Sequence, residues 1–481
     1  MFNFQQAPAR RVTRLGDIAE VLQTRGRNLD LEREIPGFCI DSRALKQGEV
    51  FVAIPGKRVD GHRFVNDALR NGASACLVST TQGIEDSESC FTVPDTVRAL
   101  GYLAAAHRRS LPTKIIGLTG SVGKTTTKEI LHTLMSFHFQ TRKSLGNFNS
   151  TIGLPIQLLQ LKPEHEWMVA EMGMSTPGEI RDLVAIARPE IGLWLSLEAV
   201  HQANFADIEG IARAKAELVE GLSIDGTLIY NKDNPYVHAH SRRFHGKIVT
   251  YGILDPYTEY AARLSPYSDW RGSAFELYGA SPQPLALYLP LPGKFNVSNA
   301  LAACATALTA GVPASELAYS LKTVKTTDGR SRLCSFNGNI HLVDDSYNAN
   351  PHALQNVLRC FALLAPRHYR WIILGDMLEL GEEETAIHRR LGTTLSGYGF
   401  DRITLIGPLC ENAFSRIREL EPEGCKVEHY HDVERALSQM DMTVPVDARI
   451  WVKASRAIRL ELIVRALAER LNPPERNVDA V

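Results

Sequence analysis

Residues 114–129 read KIIGLTGSVGKTTTKE, an apolar stretch followed by a glycine-containing turn and a threonine-rich segment. Glycines let backbone N–H groups wrap a phosphate, and the N-terminus of a following helix adds a positive dipole. Lys124 adds a charge, and the Thr125 hydroxyl is placed to reach a magnesium ion. The strict G-x-x-x-x-G-K-[ST] pattern is not met, because Leu118 occupies the first glycine position.

The segment therefore predicts a strand, a nucleotide-binding loop and a helix in that order. The residues that we expect to bind ATP along this loop are Thr119, Gly120, Ser121, Val122, Gly123, Lys124, Thr125 and Thr126.

Strands and helices alternate around the loop, which is typical of a parallel sheet covered on both faces. A second alternating series follows VKTTDGRSRL, while the first ninety or so residues carry short apolar runs typical of a small α+β unit. We therefore predict an α/β protein of three domains: an N-terminal α+β domain at 1–96, a central P-loop domain at 97–326 and a C-terminal Rossmann-like, doubly wound domain at 327–481.

Length and composition narrow the class of protein. The chain has 481 residues, with 53 Lys+Arg against 54 Asp+Glu and a formal net charge of −1. This balance argues against binding to nucleic acid or to a membrane surface, both of which need a basic excess. The eight cysteines form no C-x-x-C pair and no stretch approaches a membrane span. We expect a cytoplasmic monomer with reduced thiols and no membrane insertion.

Three further residues are candidates for magnesium chemistry. Glu171 directly follows the apolar run WMVA, where a carboxylate ligand for a phosphate-bound magnesium would lie. His201 and Lys215 lie fourteen residues apart in EAVHQANFADIEGIARAKAEL. Ordinary alternatives remain open: Glu171 as a solvated residue or helix cap, Lys215 as a solvated helix lysine, and His201 as a polar loop residue.

Other polar residues are candidates for nucleotide contacts. Asn296 and Asn299 would share one helix face and could bind a purine edge, although Asn296 could equally cap a helix. Arg330 lies between two predicted domains, a suitable place for a cation that meets phosphate on closure. Asp345, at the end of the predicted strand NIHLVDDS, could accept ribose hydroxyls or belong to an ordinary polar turn.

Taken together, these residues resemble the Mur ligase family of peptidoglycan synthesis. The family loop is of the T-G-[ST]-x-G-K-T type, which TGSVGKT fits. The motifs that carry the resemblance are DSRALKQGEVFVAIPGKRVDGHRFV, GNFNSTIGLP, EMGMSTPGEI, ARAKAEL, LPGKFNVSNALAA, DDSYNANP, LGDMLELG and VKASRAIRLE.

The resemblance implies an ATP-dependent amide ligase that joins D-alanyl-D-alanine to UDP-N-acetylmuramoyl-tripeptide through an acyl phosphate. It implies two magnesium ions, the first held by Thr125 and Glu171, the second by His201 and a carbamylated Lys215. Lys124, Lys215, His201 and Arg330 are the expected catalytic residues, and Asn296, Asn299, Arg330 and Asp345 the expected adenine, phosphate and ribose contacts. The implied substrate-binding residues are Asp41, Ser42, Arg43, Asp60, Gly61, His62, Asn147, Asn149, Ser150, Tyr347, Asn348 and Asn350.

Two alternatives remain open on the sequence: a sister ligase that adds a single amino acid, and a P-loop regulatory protein without ligase activity. The sequence also departs from the family pattern at Ser150, where relatives often carry asparagine, at Phe295, where histidine is common, and at Ala454, where glycine is usual. None of these departures removes an expected metal or phosphate ligand.

Overall fold

The computed structural model describes residues 2–24, 26, 28–56, 59–198, 205, 207–255, 257–265, 268–325, 327–365 and 368–472. Its contacts divide the chain into two compact units. The first unit is Met1–Gly120, Met135–Leu195 and Ala212–Val249, and the second is Ser121–Leu134, Ser196–Ile211 and Thr250–Val481. The boundaries predicted at 96/97 and 326/327 stay predictions.

The N-terminal region of the first unit is built on a four-stranded parallel sheet in the order β1-β2-β3-β4. The strands are β1 (Phe38–Cys39), β2 (Val50–Val52), β3 (Ala75–Val78) and β4 (Cys90–Thr92), and the helices are α1 (Leu15–Leu22), α2 (Val65–Arg70) and α3 (Thr96–Arg109). The Asp95 side chain accepts from the Arg98 N–H and so caps α3. The short strands and accompanying helices confirm the small α+β unit predicted from the sequence.

The central region alternates strands and helices, as the sequence predicted. Its elements are β5 (Lys114–Thr119), α4 (Lys124–Ser136), β6 (Thr141–Lys143), α5 (Gly153–Leu158), β7 (Trp167–Glu171), α6 (Glu179–Ala187), β8 (Ile191–Trp194), α7 (Ile208–Gly221), β9 (Thr227–Asn231), α8 (Pro235–Ser241) and β10 (Lys247–Gly252). β5 pairs in parallel with both β7 and β8 and is buried after Lys114, which explains why its sequence is continuously apolar.

The polar interval near 253–285 forms a β excursion. Strands β11 (Tyr260–Leu264), β12 (Ser273–Tyr278) and β13 (Leu285–Leu289) pair antiparallel and complete a nine-stranded sheet in the order β13-β12-β11-β10-β9-β8-β5-β7-β6. The alanine-rich helix α9 (Lys294–Ala310) follows and ends at Gly311, whose φ of +107° favours glycine. Helix α10 (Ala314–Lys322) comes next.

The C-terminal region carries a six-stranded sheet in the order β14-β15-β19-β16-β17-β18. Its elements are β14 (Arg332–Phe336), β15 (Ile340–Asp345), α11 (Pro351–Leu364), β16 (Arg370–Gly375), α12 (Glu384–Ser396), β17 (Arg402–Ile406), α13 (Cys410–Leu420), β18 (Lys426–Tyr430), α14 (Val433–Gln439), β19 (Arg449–Lys453) and α15 (Glu461–Leu471). All its strand pairs are parallel except β14 with β15. Apolar side chains cover both faces of this sheet.

In the part of the chain that the structure describes, no helix combines the length and apolar character needed to cross a bilayer. All eight cysteines are free thiols.

Candidate active site

The predicted nucleotide loop begins in the first unit, at the end of the buried strand β5. The Thr119 side chain is buried and its Oγ1 donates to the Met172 carbonyl at 2.9 Å. The next carbonyl, that of Gly120, accepts from the Lys215 ammonium at 3.2 Å. Hydrogen bonds to Met172, which directly follows β7, and to Lys215 in α7 therefore fix the start of the loop.

The rest of the loop belongs to the second unit, where the segment after β8 sets its shape. The Ser121 N–H donates to the Ser196 carbonyl at 3.0 Å, and the Ser121 Oγ accepts from the Glu198 N–H at 2.9 Å. The Val122 N–H donates to the Ser196 Oγ at 3.2 Å. Lys124 is the first residue of α4. Its ammonium lies 3.4 Å from the Ser121 carbonyl, so the lysine side chain folds back against the loop. Thr125 and Thr126 lie in the same first turn.

Gly123 shows why this position of the loop needs glycine. Its φ is +83°, in the left-handed region, and a Cβ atom there would lie 2.3 Å from the Asn299 Oδ1. A side chain at position 123 would thus be strained and would also collide with a predicted adenine-side residue. The structure brings Asn299 to the turn of the loop.

Glu171 ends β7 as predicted, and it is buried rather than solvated. Its side chain is 3% exposed, its N–H donates to the Ser144 Oγ at 3.0 Å, and its Oε1 accepts from the Asn149 Nδ2 at 2.9 Å. Burying a carboxylate is unfavourable unless it is hydrogen-bonded or coordinates a metal. Glu171 therefore lies in a position built to hold a charge.

Lys215 is also buried, in α7, with 2% of its surface exposed. This removes the alternative of a solvated lysine on a helix face. His201, the other predicted ligand of a second magnesium, lies outside the described residues. The hydroxyl of Thr125 and the buried carboxylate of Glu171 are hard oxygen donors of the kind that magnesium prefers, so these residues fit that ion.

Asn296 and Asn299 lie on one side of α9, as expected. Asn296 is buried, its Nδ2 donates to the Pro292 carbonyl at 2.8 Å, and its Oδ1 accepts from the Asn299 Nδ2 at 3.5 Å. The N-cap of α9 is Gly293, so Asn296 lies inside the helix and is not its cap.

Asp345, at the carboxyl end of β15, is part of a buried ion pair that the sequence prediction did not include. Its Oδ2 lies 2.5 Å from the Lys453 Nζ, and its Oδ1 accepts from the Ser331 N–H at 3.2 Å. Lys453 also donates to the Asn348 carbonyl at 2.9 Å. The ammonium thus fixes both Asp345 and the turn that follows it.

Arg330 lies next to this turn. Its guanidinium carbon lies over the Tyr347 ring, 4.2 Å from the ring centroid. The Arg456 guanidinium carbon lies over the same ring at 5.5 Å. Asn350, another predicted substrate contact, caps α11, since its Oδ1 accepts from the Ala353 N–H at 2.8 Å.

The N-terminal set lies at the carboxyl edge of the four-stranded sheet, in the turns after β1 and β2. The guanidinium of Arg43 hydrogen-bonds the Asp41 carboxylate at 2.8 and 2.9 Å and lowers the pKa of Asp41 to about 2. The Asp60 carboxylate accepts hydrogen bonds from the backbone N–H and the Nδ1 of His62. These two bonds lower the pKa of Asp60, and the backbone bond has the larger effect.

Contacts in the same turns explain why histidine occupies position 62 and glycine position 61. The His62 Nε2 accepts from the N–H of Ser79, just after β3, so the neutral ring carries its proton on Nδ1. A Cβ atom at Gly61 would lie 2.7 Å from the Ile54 backbone nitrogen. Ser42 lies in this edge cluster between Asp41 and Arg43.

The segment that contains Asn147, Asn149 and Ser150 connects β6 to α5. Asn149 is the member that contacts another predicted site residue, Glu171. The Ser150 Oγ accepts from the Gly153 N–H at 3.2 Å, which places it at the start of α5. The structure thus connects this segment to the predicted magnesium ligands through one amide.

A buried group of Asp376, His388 and Cys410 has metal-ligand side chains within 4.8 Å of one another. Its atoms already have partners: His388 accepts from the Met377 N–H and bonds the Glu384 carbonyl, and Asp376 accepts from the Cys410 and Leu409 N–H groups. Burial and the neighbouring Asp376 raise the pKa of the Cys410 thiol well above its usual value. This group holds the start of α13 in place.

Three models of protein families match the chain: the Mur ligase family catalytic domain at residues 34–109, the Mur ligase middle domain at 118–307, and the glutamate ligase domain of Mur ligases at 329–456. Each matched range contains part of the predicted site.

Relatives match over nearly their whole length. The chain is 33% identical over 458 residues to a UDP-N-acetylmuramoyl-tripeptide–D-alanyl-D-alanine ligase of Bacillus subtilis, covering 94% of this chain and 98% of that one. It is also 33% identical to the Escherichia coli ligase of the same name, covering 89% and 93%.

Solved structures agree. A crystal structure of MurF from Acinetobacter baumannii superposes with a TM-score of 0.84 at 28% identity, covering 96% of this chain and 100% of that one. MurF ligase from Thermotoga maritima in complex with ADP gives a TM-score of 0.78 at 28% identity, covering 90% and 97%. The predicted three-domain α/β fold class is confirmed.

Proposed function

Because the chain belongs to the Mur ligase family, we propose that it joins D-alanyl-D-alanine to UDP-N-acetylmuramoyl-tripeptide with ATP. The product is the UDP-linked pentapeptide, a precursor of peptidoglycan. The observation that carries the proposal is the buried Lys215 ammonium at the Gly120 carbonyl. A protein that merely held a nucleotide would gain nothing from burying this charge, since an unneeded buried cation is unfavourable.

The reaction proceeds in two steps. The γ-phosphoryl group of ATP passes to the terminal carboxylate of the tripeptide and gives an acyl phosphate. The amine of the dipeptide then attacks the acyl carbon, loses a proton as the amide forms, and inorganic phosphate leaves. A carboxylate is a weak acceptor and the phosphoryl group is heavily charged, so positioning and charge neutralisation provide most of the catalysis.

The nucleotide loop provides the positioning. The backbone N–H groups at the start of helix α4 and the Lys124 ammonium hold the phosphates, and Arg330 neutralises charge as it develops on the transferred group. Asn296 and Asn299 bind on the adenine side, where Asn299 already touches the turn at Gly123. Asp345 binds the ribose with its carboxylate held by Lys453.

Magnesium, when bound, supplies positive charge next to the phosphates. Thr125 and Glu171 would hold one ion, with the Asn149 amide orienting the Glu171 carboxylate. His201 and Lys215 would hold a second ion, provided that Lys215 is carbamylated. That modification joins the neutral Lys215 amine to carbon dioxide and releases a proton, which turns a cation into an anionic ligand.

The N-terminal set, residues 41–43 and 60–62, provides the site for the UDP end of the sugar substrate. Its turns present Asp41, Arg43, Asp60 and His62 at one edge of a parallel sheet, where ligands of such sheets bind. We further propose a monomer located in the cytoplasm, where the nucleotide-linked substrate and ATP are both found.

The proposal is tested by the mass of the product. The purified protein is incubated with ATP, Mg²⁺ and UDP-N-acetylmuramoyl-tripeptide, together with either D-alanyl-D-alanine or single amino acids. We expect one new amide that carries the dipeptide and none from a free amino acid. An amide from a single amino acid and none from the dipeptide would instead identify a sister ligase.

A further inference from the structure

Two guanidinium groups share one tyrosine ring in the C-terminal region. The guanidinium carbon of Arg330 lies 4.2 Å from the centroid of Tyr347, and that of Arg456 lies 5.5 Å from it. The proposed function uses Arg330 and leaves Arg456 without a role.

The fold brings these three residues together from distant parts of the sequence. In the antiparallel pair β14–β15, Arg332 is opposite Asp344, which places Arg330 beside the carboxyl end of β15. In the parallel pair β15–β19, Asp345 is opposite Lys453, so the turns that carry Tyr347 and Arg456 leave the sheet at the same edge. Ligands of such sheets bind at this edge.

The charges at this edge favour an anion. Among the described residues, the carboxylate that pairs with Arg456 is Glu461, at 3.4 Å, in a partly exposed contact that is weak by nature. The nearby carboxylates have other partners: Asp345 is paired with Lys453, and Asp344 accepts from the Ser346 hydroxyl and the Gly329 N–H. Two cations that share one ring repel each other until an anion binds between or beside them.

We propose that Arg456 binds the C-terminal carboxylate of the incoming D-alanyl-D-alanine. This inference rests on the proposed ligation. A planar guanidinium matches a carboxylate with two parallel hydrogen bonds, which also fixes the orientation of the substrate. The amine at the other end of the dipeptide then faces the acyl phosphate, whose charge Arg330 neutralises.

The dimensions agree with this arrangement. Two extended residues span about 7 Å. Both guanidinium carbons lie within 5.5 Å of a single ring centroid, so one bound dipeptide is long enough to lie against both groups.

The test compares two substrates that differ at the carboxylate. Steady-state rates of the full-length protein are measured with D-alanyl-D-alanine and with D-alanyl-D-alaninamide, whose terminal group is uncharged. We expect the wild type to prefer the acid by roughly 10- to 100-fold in kcat/KM, the range for a hydrogen-bonded charge. In Arg456→Met the preference falls to near one, chiefly through a higher KM for the acid, while the kinetics with the amide change much less.

Arg459→Met is the matched control, because Arg459 lies in the same turn, is equally exposed and pairs with Glu434 at 3.3 Å. It should keep the wild-type preference. Equal preference in Arg456→Met and wild type would overturn the inference, as would a wild type that does not distinguish acid from amide. If Arg456→Met does not fold, Arg456→Lys provides the same comparison and should show an intermediate preference. Failure of the wild type to ligate either substrate would overturn the proposed function itself.

Discussion

The Lys453 ammonium lies 2.5 Å from the Asp345 carboxylate, although the two residues are 108 positions apart in the chain. The side chains are 5% and 11% exposed, so the pair is screened little by water. The pair joins β15 to β19 at the edge where Arg330, Tyr347 and Arg456 meet.

Replacing Lys453 by Met should therefore destabilise the protein strongly. Removing one partner of a buried pair leaves an uncompensated charge, which costs about 3–5 kcal/mol. Urea unfolding measures the change in the free energy of unfolding. The control is Lys426→Met, whose side chain is half exposed and pairs with Glu428 at 3.0 Å. Equal destabilisation by the two substitutions would contradict the structural role of the Lys453 pair.

Gly123→Ala should weaken nucleotide binding about tenfold or more, because the residue would be strained at φ +83° and its Cβ would meet Asn299. Calorimetric titration with ADP measures the affinity. Gly178→Ala is the control, since Gly178 has a similar φ of +91° but nothing lies within 4 Å of a Cβ atom there. We expect near wild-type affinity in the control, and a similar loss in both variants would show that the contact with Asn299 is unimportant.

Lys215→Ala should abolish ligation, and short-chain carboxylic acids should partly restore it by supplying the missing carboxylate. The control is Arg213→Ala, an exposed residue in the same helix α7, which should retain activity. The assay is amide formation with and without the added acid. Wild-type activity of Lys215→Ala in the absence of acid would rule out the carbamate.

Glu198 should make stability depend on pH. Burial raises the pKa of its carboxyl to about 7, and its Oε2 lies 3.2 Å from the Nδ1 of His352, whose pKa burial lowers. A folded-state pKa above the ordinary value of 4.5 means that the folded protein binds more protons between pH 4.5 and 7. The stabilising contribution is present at pH 4.5 and is lost as the pH rises through about 7.

The Glu198→Gln variant cannot ionise at this position, so it should not lose stability as the pH rises through about 7. Since the side chain is 23% exposed, we expect a gain of about 1 kcal/mol for the variant relative to wild type between pH 5 and 8 after solvent screening. Thermal unfolding at several pH values measures it. Glu88→Gln, at an exposed position, should show no such trend. Parallel curves for wild type and Glu198→Gln would mean that Glu198 does not titrate in this range.

Much of the fold could be predicted from the sequence because its strands are buried on both faces. Buried parallel strands such as β5 and β16 are continuous apolar runs, and glycines mark their ends. Strand β18, KVEHY, gives a weak signal in the sequence because it lies at one end of its sheet order, is only partly buried and is mostly polar. Strand β14, RLCSF, gives a weak signal as well, since it is half-buried apart from the exposed Ser335.

The site was predictable where its residues follow one another in the chain. The loop at 119–126 and the carboxylate of Glu171 are motifs of that kind. The partners that arrive from other strands were not predictable: Lys453 beside Asp345, Asn149 on Glu171, and Arg456 on Tyr347. The spacing of residues in a sequence does not show which strands become neighbours in a sheet. These three contacts exist because distant segments of the chain are brought together by the fold.

The most direct test of the ligase function is phosphate release from ATP and Mg²⁺ by the purified protein, with UDP-N-acetylmuramoyl-tripeptide and D-alanyl-D-alanine varied independently. We predict that sustained release requires both substrates and matches the amide formed, one phosphate for each amide. Release that is indifferent to both substrates would contradict the ligase function and would leave a nucleotide-hydrolysing protein without ligation.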